Sequence, residues 1–468
     1  MLPKRSTAFA LSFLLLMASA CGSRLSDQER ALAIAGSGAA GAPRDGSNAP
    51  TDLTTDGGAD VETPGVTSSP GGTIVTGGPG SEASGGTGGT APGATCTPGS
   101  ATSIGVTPTE IKVGNVSQIT GLVPGFAQTS VNGVKAYFNM INAQGGVCGR
   151  KLTLLTADDR FQSATNRAET EKMAGQAIAL VGGLSVVDDG GAPIIDSKGI
   201  ADISVATSAP RIAAKNNFSP NPIDPTPKAG NGLGGILEYF KRTDNISKPA
   251  IFYQDVATGA NQADSYKIDF ERAGIPVVAT YPVAPTASNF NTQANDMKQK
   301  GVDFVITVAE VNAMSNLAKA FESVGYFPKV PFYGAQVYGQ KFLQLAGKAA
   351  EGTRVGLIFA IPEDAANNPA VGALSTWYGR TAPGADLDFF SVSAWLAADM
   401  FVSALRAAGP DPTQAKIVAH LKTLTNYTGG GLVGGINPAQ KKPSKCFNVI
   451  EVKGGKWVKT FPAKGFQC

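Results

Sequence analysis

Histidine occurs once in these 468 residues, at His420. A Ser-His-Asp triad would have to recruit it. It sits inside a helix-like segment, Lys416 to Leu424, and no G-x-S-x-G elbow is present. Cysteine is also sparse, with five residues and no CxxC pair, so His and Cys show no metal-ligand spacing. Charged residues make up only 16% of the chain and the formal charge is +3, of which Lys4 and Arg5 lie in the first few residues; no nucleic-acid surface is implied. No G-x-G-x-x-G follows the first predicted strand, which argues against a dinucleotide site. Asp158-Asp159 is the nearest thing to a paired carboxylate, but adjacent residues after a strand point in different directions, unlike the facing carboxyls of a glycosidase. These absences leave no constellation for catalysis, and no cofactor is expected. The only apolar run resembling an export signal is Phe9–Met17, and no later stretch reads as a membrane span.

That run belongs to a leader. Lys4 and Arg5 precede it, and Ala18-Ser19-Ala20-Cys21 ends it with small residues before a cysteine and Gly22. Residues 1–21 resemble a lipoprotein signal peptide, with Cys21 as the lipidated residue and acyl chains as the anchor in the lipid bilayer. Residues 22–95 read as a tether. Pro70–Pro92 is almost entirely Gly, Thr, Ser and Pro, and offers too little apolar surface to offset the entropy of ordering it.

Order is expected from about Cys96. Ile111–Val116 is β-prone, a turn-rich loop Ser117–Gly121 follows, and Val131, Val134, Tyr137, Phe138 and Ile141 recur at helical spacing. Lys151–Leu155 reads as the next strand, completing a βαβ unit. Helices are predicted over 166–180 and 188–197, with strands at 178–183 and 202–205. A second set follows: helix 231–242, strand 249–253, helix 261–273, strand 277–281, helix 291–300, strand 304–308, helix 313–324 and strand 330–333. Helices 392–407 and 413–424 and a hairpin over 447–458 close the chain. In such parallel sheets small ligands bind beyond the C-terminal strand ends.

The opening unit also carries a resemblance. Glu110-Ile111-Lys112-Val113-Gly114, then Thr120-Gly121, Ile141-Asn142-Ala143-Gln144-Gly145-Gly146-Val147-Cys148-Gly149-Arg150-Lys151-Leu152 and Ala157-Asp158-Asp159 resemble, in order and spacing, the type I periplasmic binding proteins, in the branch that binds leucine, isoleucine, valine and amides for ABC importers. The likeness runs to about residue 462. It implies an α/β, two-lobed Venus-flytrap fold, each lobe a mostly parallel sheet flanked by helices, with three interlobe crossings. The lobes divide as 96–225 and 357–427 (first) and 226–356 and 428–468 (second). Four cysteines remain in the body and allow three pairings; Cys96–Cys148 and Cys446–Cys468 are preferred, the first stapling the incoming chain to the opening unit and the second tying the terminus to a nearby hairpin strand.

The resemblance also implies a ligand-binding set: Gln118, Thr120, Ser185, Ala206, Thr207, Ser208, Thr258, Glu310 and Gln336. Ser185 and the Ala206-Thr207-Ser208 step are expected to hold a carboxylate at helix N-termini, although helix capping uses the same residue types. Two departures stand out. Gln336 occupies the place where relatives carry an acidic residue, and Thr258 replaces an aromatic. Glu310 is then either a substitute carboxylate or a hinge or rim charge. The implied function is an exported, lipid-anchored receptor for an amino acid or similar small polar solute, delivering it to an ABC permease. The alternative is a sensory receptor of the same fold.

Overall fold

The computed structural model describes residues 96–99, 103–121, 125–226, 230 and 232–468. The leader at 1–21, including Cys21, and the tether at 22–95 lie outside the described residues.

The first sheet is built from β1 (Glu110–Ser117), β2 (Lys151–Asp158), β3 (Ala179–Val181) and β4 (Ala201–Ile203). Its order is β2-β1-β3-β4, all parallel. Helix α1 (Gln128–Ala143) joins β1 to β2. It buries Val131, Val134, Tyr137, Phe138 and Ile141 along the stripe its apolar spacing defines. α2 (Ser163–Ala174), α3 (Ala192–Lys198) and α4 (Ala209–Ala213) complete the first pass. α2 stops earlier than the predicted helix over 166–180, because the chain turns at Gly175 and must feed β3. α3 also starts later than expected, at Ala192, so residues 184–191 form an open loop rather than a helix.

The second sheet has seven strands: β5 (Pro249–Gln254), β6 (Ala279–Val283), β7 (Phe304–Val308), β8 (Val330–Tyr333), β9 (Arg354–Leu357), β10 (Asn448–Lys453) and β11 (Lys456–Phe461). The order is β11-β10-β9-β8-β7-β5-β6, parallel from β6 to β9 and antiparallel at the β9-β10-β11 edge. Helices α5 (Gly234–Asp244), α6 (Ala257–Arg272), α7 (Asn291–Lys300), α8 (Val311–Ser323) and α9 (Gln340–Ala346) belong with this sheet. Its core is aromatic: Phe240, Phe270, Phe304 and Phe332 pack with ring centroids 5.4 to 5.7 Å apart.

After β9 the chain returns to the first sheet through α10 (Pro369–Thr381), α11 (Phe389–Ala408) and α12 (Gln414–Leu421), which pack against α1, β3 and β4. The chain thus passes between sheets three times: after β4, after β9 and after α12. α11 and α1 approach closely at Gly133, where a Cβ would lie 2.4 Å from the Ser391 carbonyl oxygen. α11 is long and apolar enough to cross a membrane, contrary to the expectation that no later stretch reads as a span. It is the core helix of the first lobe, with 72% of its most apolar window buried. α10 was not predicted, although Asn368 caps it, Pro369 opens it, and Val371, Leu374 and Tyr378 share its buried face. Disulfides join Cys96 to Cys148 and Cys446 to Cys468, the pairs preferred from sequence.

Candidate functional site

Both sheets have a topological switch point, and these define the site. In the first sheet the chain leaves β1 toward β2 on one side and returns to β3 on the other; in the second, β6 and β7 flank β5 in the same way. A crevice opens beyond the C-terminal strand ends at such a point. The β1 and β3 ends place Gln118, Leu184, Val186 and Val187 there, and the β5 and β7 ends place Gln254, Ala309 and Glu310. All of them line a cleft of about 1990 Å³.

The sequence candidates divide. Gln118, Ala206, Thr207, Ser208, Thr258, Glu310 and Gln336 line the cleft. Thr120 and Ser185 do not. Thr120 is exposed, and its hydroxyl and backbone N–H both donate to Asp158, which also accepts from Ile119 N (3.0 Å) and Arg160 N (3.0 Å). Those hydrogen bonds hold the Asp158 carboxyl below the usual range against its partial desolvation. Asp159 has separate partners, Phe161 N and Asn166 Nδ2, so the two adjacent carboxylates are loop and cap devices. Ser185 is buried behind the wall, where its Oγ accepts from Val187 N at 3.1 Å.

The helix N-termini expected at Ser185 and Ser208 are not formed as anion sites. No helix starts at Ser185, because residues 184–191 remain a loop. The helix after Ser208 has only five residues, and Ser208 Oγ caps it by accepting from Arg211 N. Asp188 meanwhile accepts from Thr207 N at 2.8 Å and Ser208 N at 2.9 Å, one carboxylate oxygen for each. The Thr207 hydroxyl donates to the Ser185 carbonyl at 2.6 Å. Burial pushes the Asp188 carboxyl up, opposed by the charge of Arg211 and by hydrogen bonds from Ser208 and Thr207. Arg211 itself is buried and clasps Asp202 through Nε (2.7 Å) and Nη2 (2.9 Å).

On the second-lobe wall, Glu310 is the N-cap of α8. Its carboxylate accepts from Ala313 N at 2.5 Å and Asn312 N at 2.8 Å. Its own N–H donates to Gln254 Oε1 at 3.0 Å, and Gln336 Nε2 donates to the Ala309 carbonyl at 3.1 Å. Gln254 and Gln336 therefore both brace the Ala309-Glu310 backbone that follows β7. Thr258 lies in the first turn of α6.

Sequence reasoning missed the apolar lining. Phe126, Phe161, Val186, Val187, Val205, Phe389 and Phe390 are half-buried and face the cleft from first-lobe segments. Phe126 meets Phe390 edge-on at 5.2 Å, and Phe390 meets Phe389 at 5.3 Å. The Phe389-Phe390 pair was legible only as the start of an apolar helix. Asp388, just before it, caps α11 and accepts from Thr129 Oγ1 at 2.9 Å. His420 is half-buried on α12 with Ser403 Oγ 3.4 Å away, and it is not among the residues that line the cleft.

Two α/β lobes joined by three crossings, with both switch points opening on one cleft, define the architecture of a two-lobed solute receptor. A family model described as periplasmic binding protein matches residues 110–456, and the chain belongs to that family, in its type I, Leu/Ile/Val-binding branch. Among its relatives, Leu/Ile/Val-binding protein homolog 3 of Brucella melitensis is 22% identical over 316 residues, covering 67% of this chain and 83% of that protein. The fold also matches a fatty acid ABC transporter substrate-binding protein from Thermomonospora curvata (TM-score 0.67, 20% identity, 78% of this chain and 94% of that one). A branched-chain amino acid ABC transporter structure from Thermus thermophilus with bound valine gives a TM-score of 0.65 at 18% identity, covering 77% of this chain and 97% of that one.

Proposed function

We propose that this chain is the extracytoplasmic substrate-binding component of an ABC importer. It captures a small organic solute between its lobes and presents the closed form to a membrane permease. The observation that carries the reading is the convergence of both sheet switch points on one cleft, with three chain crossings to act as a hinge. The cleft's volume of about 1990 Å³ exceeds the roughly 300–1,000 Å³ of pockets that enclose small ligands, so the lobes must close over a small solute. The relatives' names supply the link to importers and make amino-acid-like solutes the first compounds to test. The lobe limits at 96–225, 226–356, 357–427 and 428–468 belong to the same proposal.

The anchoring is also a proposal. Ala18-Ser19-Ala20-Cys21 supports lipidation at Cys21, with residues 22–95 as a spacer between bilayer and receptor. Removing residues 22–90 should leave solute affinity unchanged.

A thermal-shift screen over amino acids, amides, alcohols and short carboxylates, followed by small-angle scattering on each hit, tests the receptor reading. A stabilising solute that also lowers the radius of gyration is expected. A chain that no solute stabilises and whose radius never changes would refute it.

A further inference from the structure

The Ala206-Thr207-Ser208 loop of the first-lobe wall has spent its donors internally. The Thr207 and Ser208 N–H groups, which would meet an anionic ligand, are taken by the two oxygens of Asp188, a residue 4% exposed. The Thr207 hydroxyl is given to the Ser185 carbonyl, and the Ser208 hydroxyl, whose oxygen accepts from Arg211 N at the start of α4, is given to Asp188. A second carboxylate brought to this loop would face Asp188 across the two amides and find no free N–H. The first-lobe lining also carries Phe126, Val186, Val187, Val205 and Phe390, beside the polar Thr129, Asp189 and Asn221.

Two buried polar atoms of cleft-lining residues are without a hydrogen-bond partner, one from each lobe. Gln118 Oε1 and the Tyr333 hydroxyl are both buried, belong to cleft-lining residues that are each 1% exposed, and make no hydrogen bond with the protein. Unsatisfied buried polar groups are costly, and a solute hydroxyl or amide seated against these two side chains would satisfy them. Both are uncharged. We infer that Asp188 acts as a built-in carboxylate that fills the amide niche of the Ala206-Thr207-Ser208 loop, and that the cleft therefore selects an apolar solute bearing an uncharged hydroxyl or amide over a carboxylic acid or free amino acid.

The inference deepens the proposed receptor function and rests on it. It assigns Asp188 a role in specificity through the amides it occupies. Arg211, paired with Asp202 through Nε and Nη2, adds an attraction that opposes the burial penalty on the Asp188 carboxylate.

Calorimetry on the full chain with two matched pairs, benzyl alcohol against benzoate and 4-methyl-1-pentanol against 4-methylpentanoate, together with L-leucine, tests it. In the unmodified protein each alcohol should bind at least tenfold tighter than its acid, and L-leucine should bind no better than the acids. In Asp188→Ser the acid-to-alcohol ratio should shift at least tenfold toward the acid. Asp188→Asn keeps the residue's volume and one accepting oxygen, and serves if the serine variant does not fold; it should shift the ratio in the same direction by less. Acids or L-leucine binding the unmodified protein as tightly as the alcohols would overturn the inference while leaving the receptor reading intact, since a solute would then have been bound. An unchanged ratio in both variants, or failure of both alcohols to bind, would also overturn it. The receptor reading itself falls only with the broader screen.

Discussion

At the scale of single residues, the cleft is bordered by carboxylates that serve the backbone. Glu310, a candidate ligand carboxylate, has both oxygens on the first turn of α8. Its capping geometry is complete. Glu310→Ala should cost about 1 kcal/mol in a urea unfolding curve, as for other lost N-caps; a loss below the error of the curve would show that the cap is not formed in solution. Asp388 offers a pH-dependent case. It caps α11 by accepting from Ser391 N at 2.9 Å, and burial pushes its carboxyl up to about 6, opposed by the hydrogen bonds from Ser391 and Thr129. A carboxyl raised in the folded state favours folding when protonated. That contribution is fully present below its unfolded value of 3.8 and is lost as pH rises through about 6. At ~1.4 kcal/mol per unit the effect is bounded at about 3 kcal/mol, and solvent access to this half-buried residue reduces it. Between pH 7.5 and 4.5 the unmodified protein should gain on Asp388→Asn in melting temperature. A constant difference between the two melts would contradict the shift.

At the scale of elements, helix and strand types followed from local pattern, while their ends followed from what each element had to meet. Val131, Val134, Tyr137, Phe138 and Ile141 announced α1, and the stripe is the face buried under α11. The predicted helix over 166–180 merged a helix and a strand because apolar residues continue through Ile178, Leu180 and Val181, where the chain has already become β3 between β1 and β4. The same ambiguity of short apolar runs explains the misplaced start of α3. At the C-terminal edge, Cys446 precedes β10 and Cys468 follows β11, so their disulfide closes the hairpin's open end. With a sequence separation of 22, the bond should contribute about 3 kcal/mol through chain closure. Cys446→Ser with Cys468→Ser should lower the urea midpoint accordingly. Equal midpoints for the double variant and the oxidised protein would remove this role.

At the scale of the molecule, motion between lobes depends on contacts that bridge the sheets away from the crossings. Asp386 lies in the return segment between α10 and α11, which pack on the first lobe. Its carboxylate accepts from Gln340 N (2.9 Å) and Lys341 N (3.0 Å) at the start of α9, on the second lobe. It is therefore an N-terminal cap supplied across the lobes. Asp386→Ala should cost about 1 kcal/mol as a lost cap. Unlike Glu310→Ala, whose cap lies within one lobe, it should also change the radius of gyration of the ligand-free protein in small-angle scattering. Identical scattering from the two variants would reduce Asp386 to a local cap.

The sequence by itself determined the βαβ repetition, the sparse titratable chemistry that left no triad, the cysteine positions and the family likeness, because each is written in neighbouring residues or in short spacings. It also named seven residues that do line the cleft. What the tertiary structure decided is how their polar atoms are used. Asp188, unremarked in the sequence, reaches Thr207 and Ser208, 19 and 20 positions further along. Phe126 meets Phe390 from the far side of the chain's excursion through the second lobe. A hydroxyl or amide reads the same in sequence whether it is free or already paired; only the fold sets its partner, because hydrogen bonds and ring contacts of this kind are made between segments that the crossings bring together.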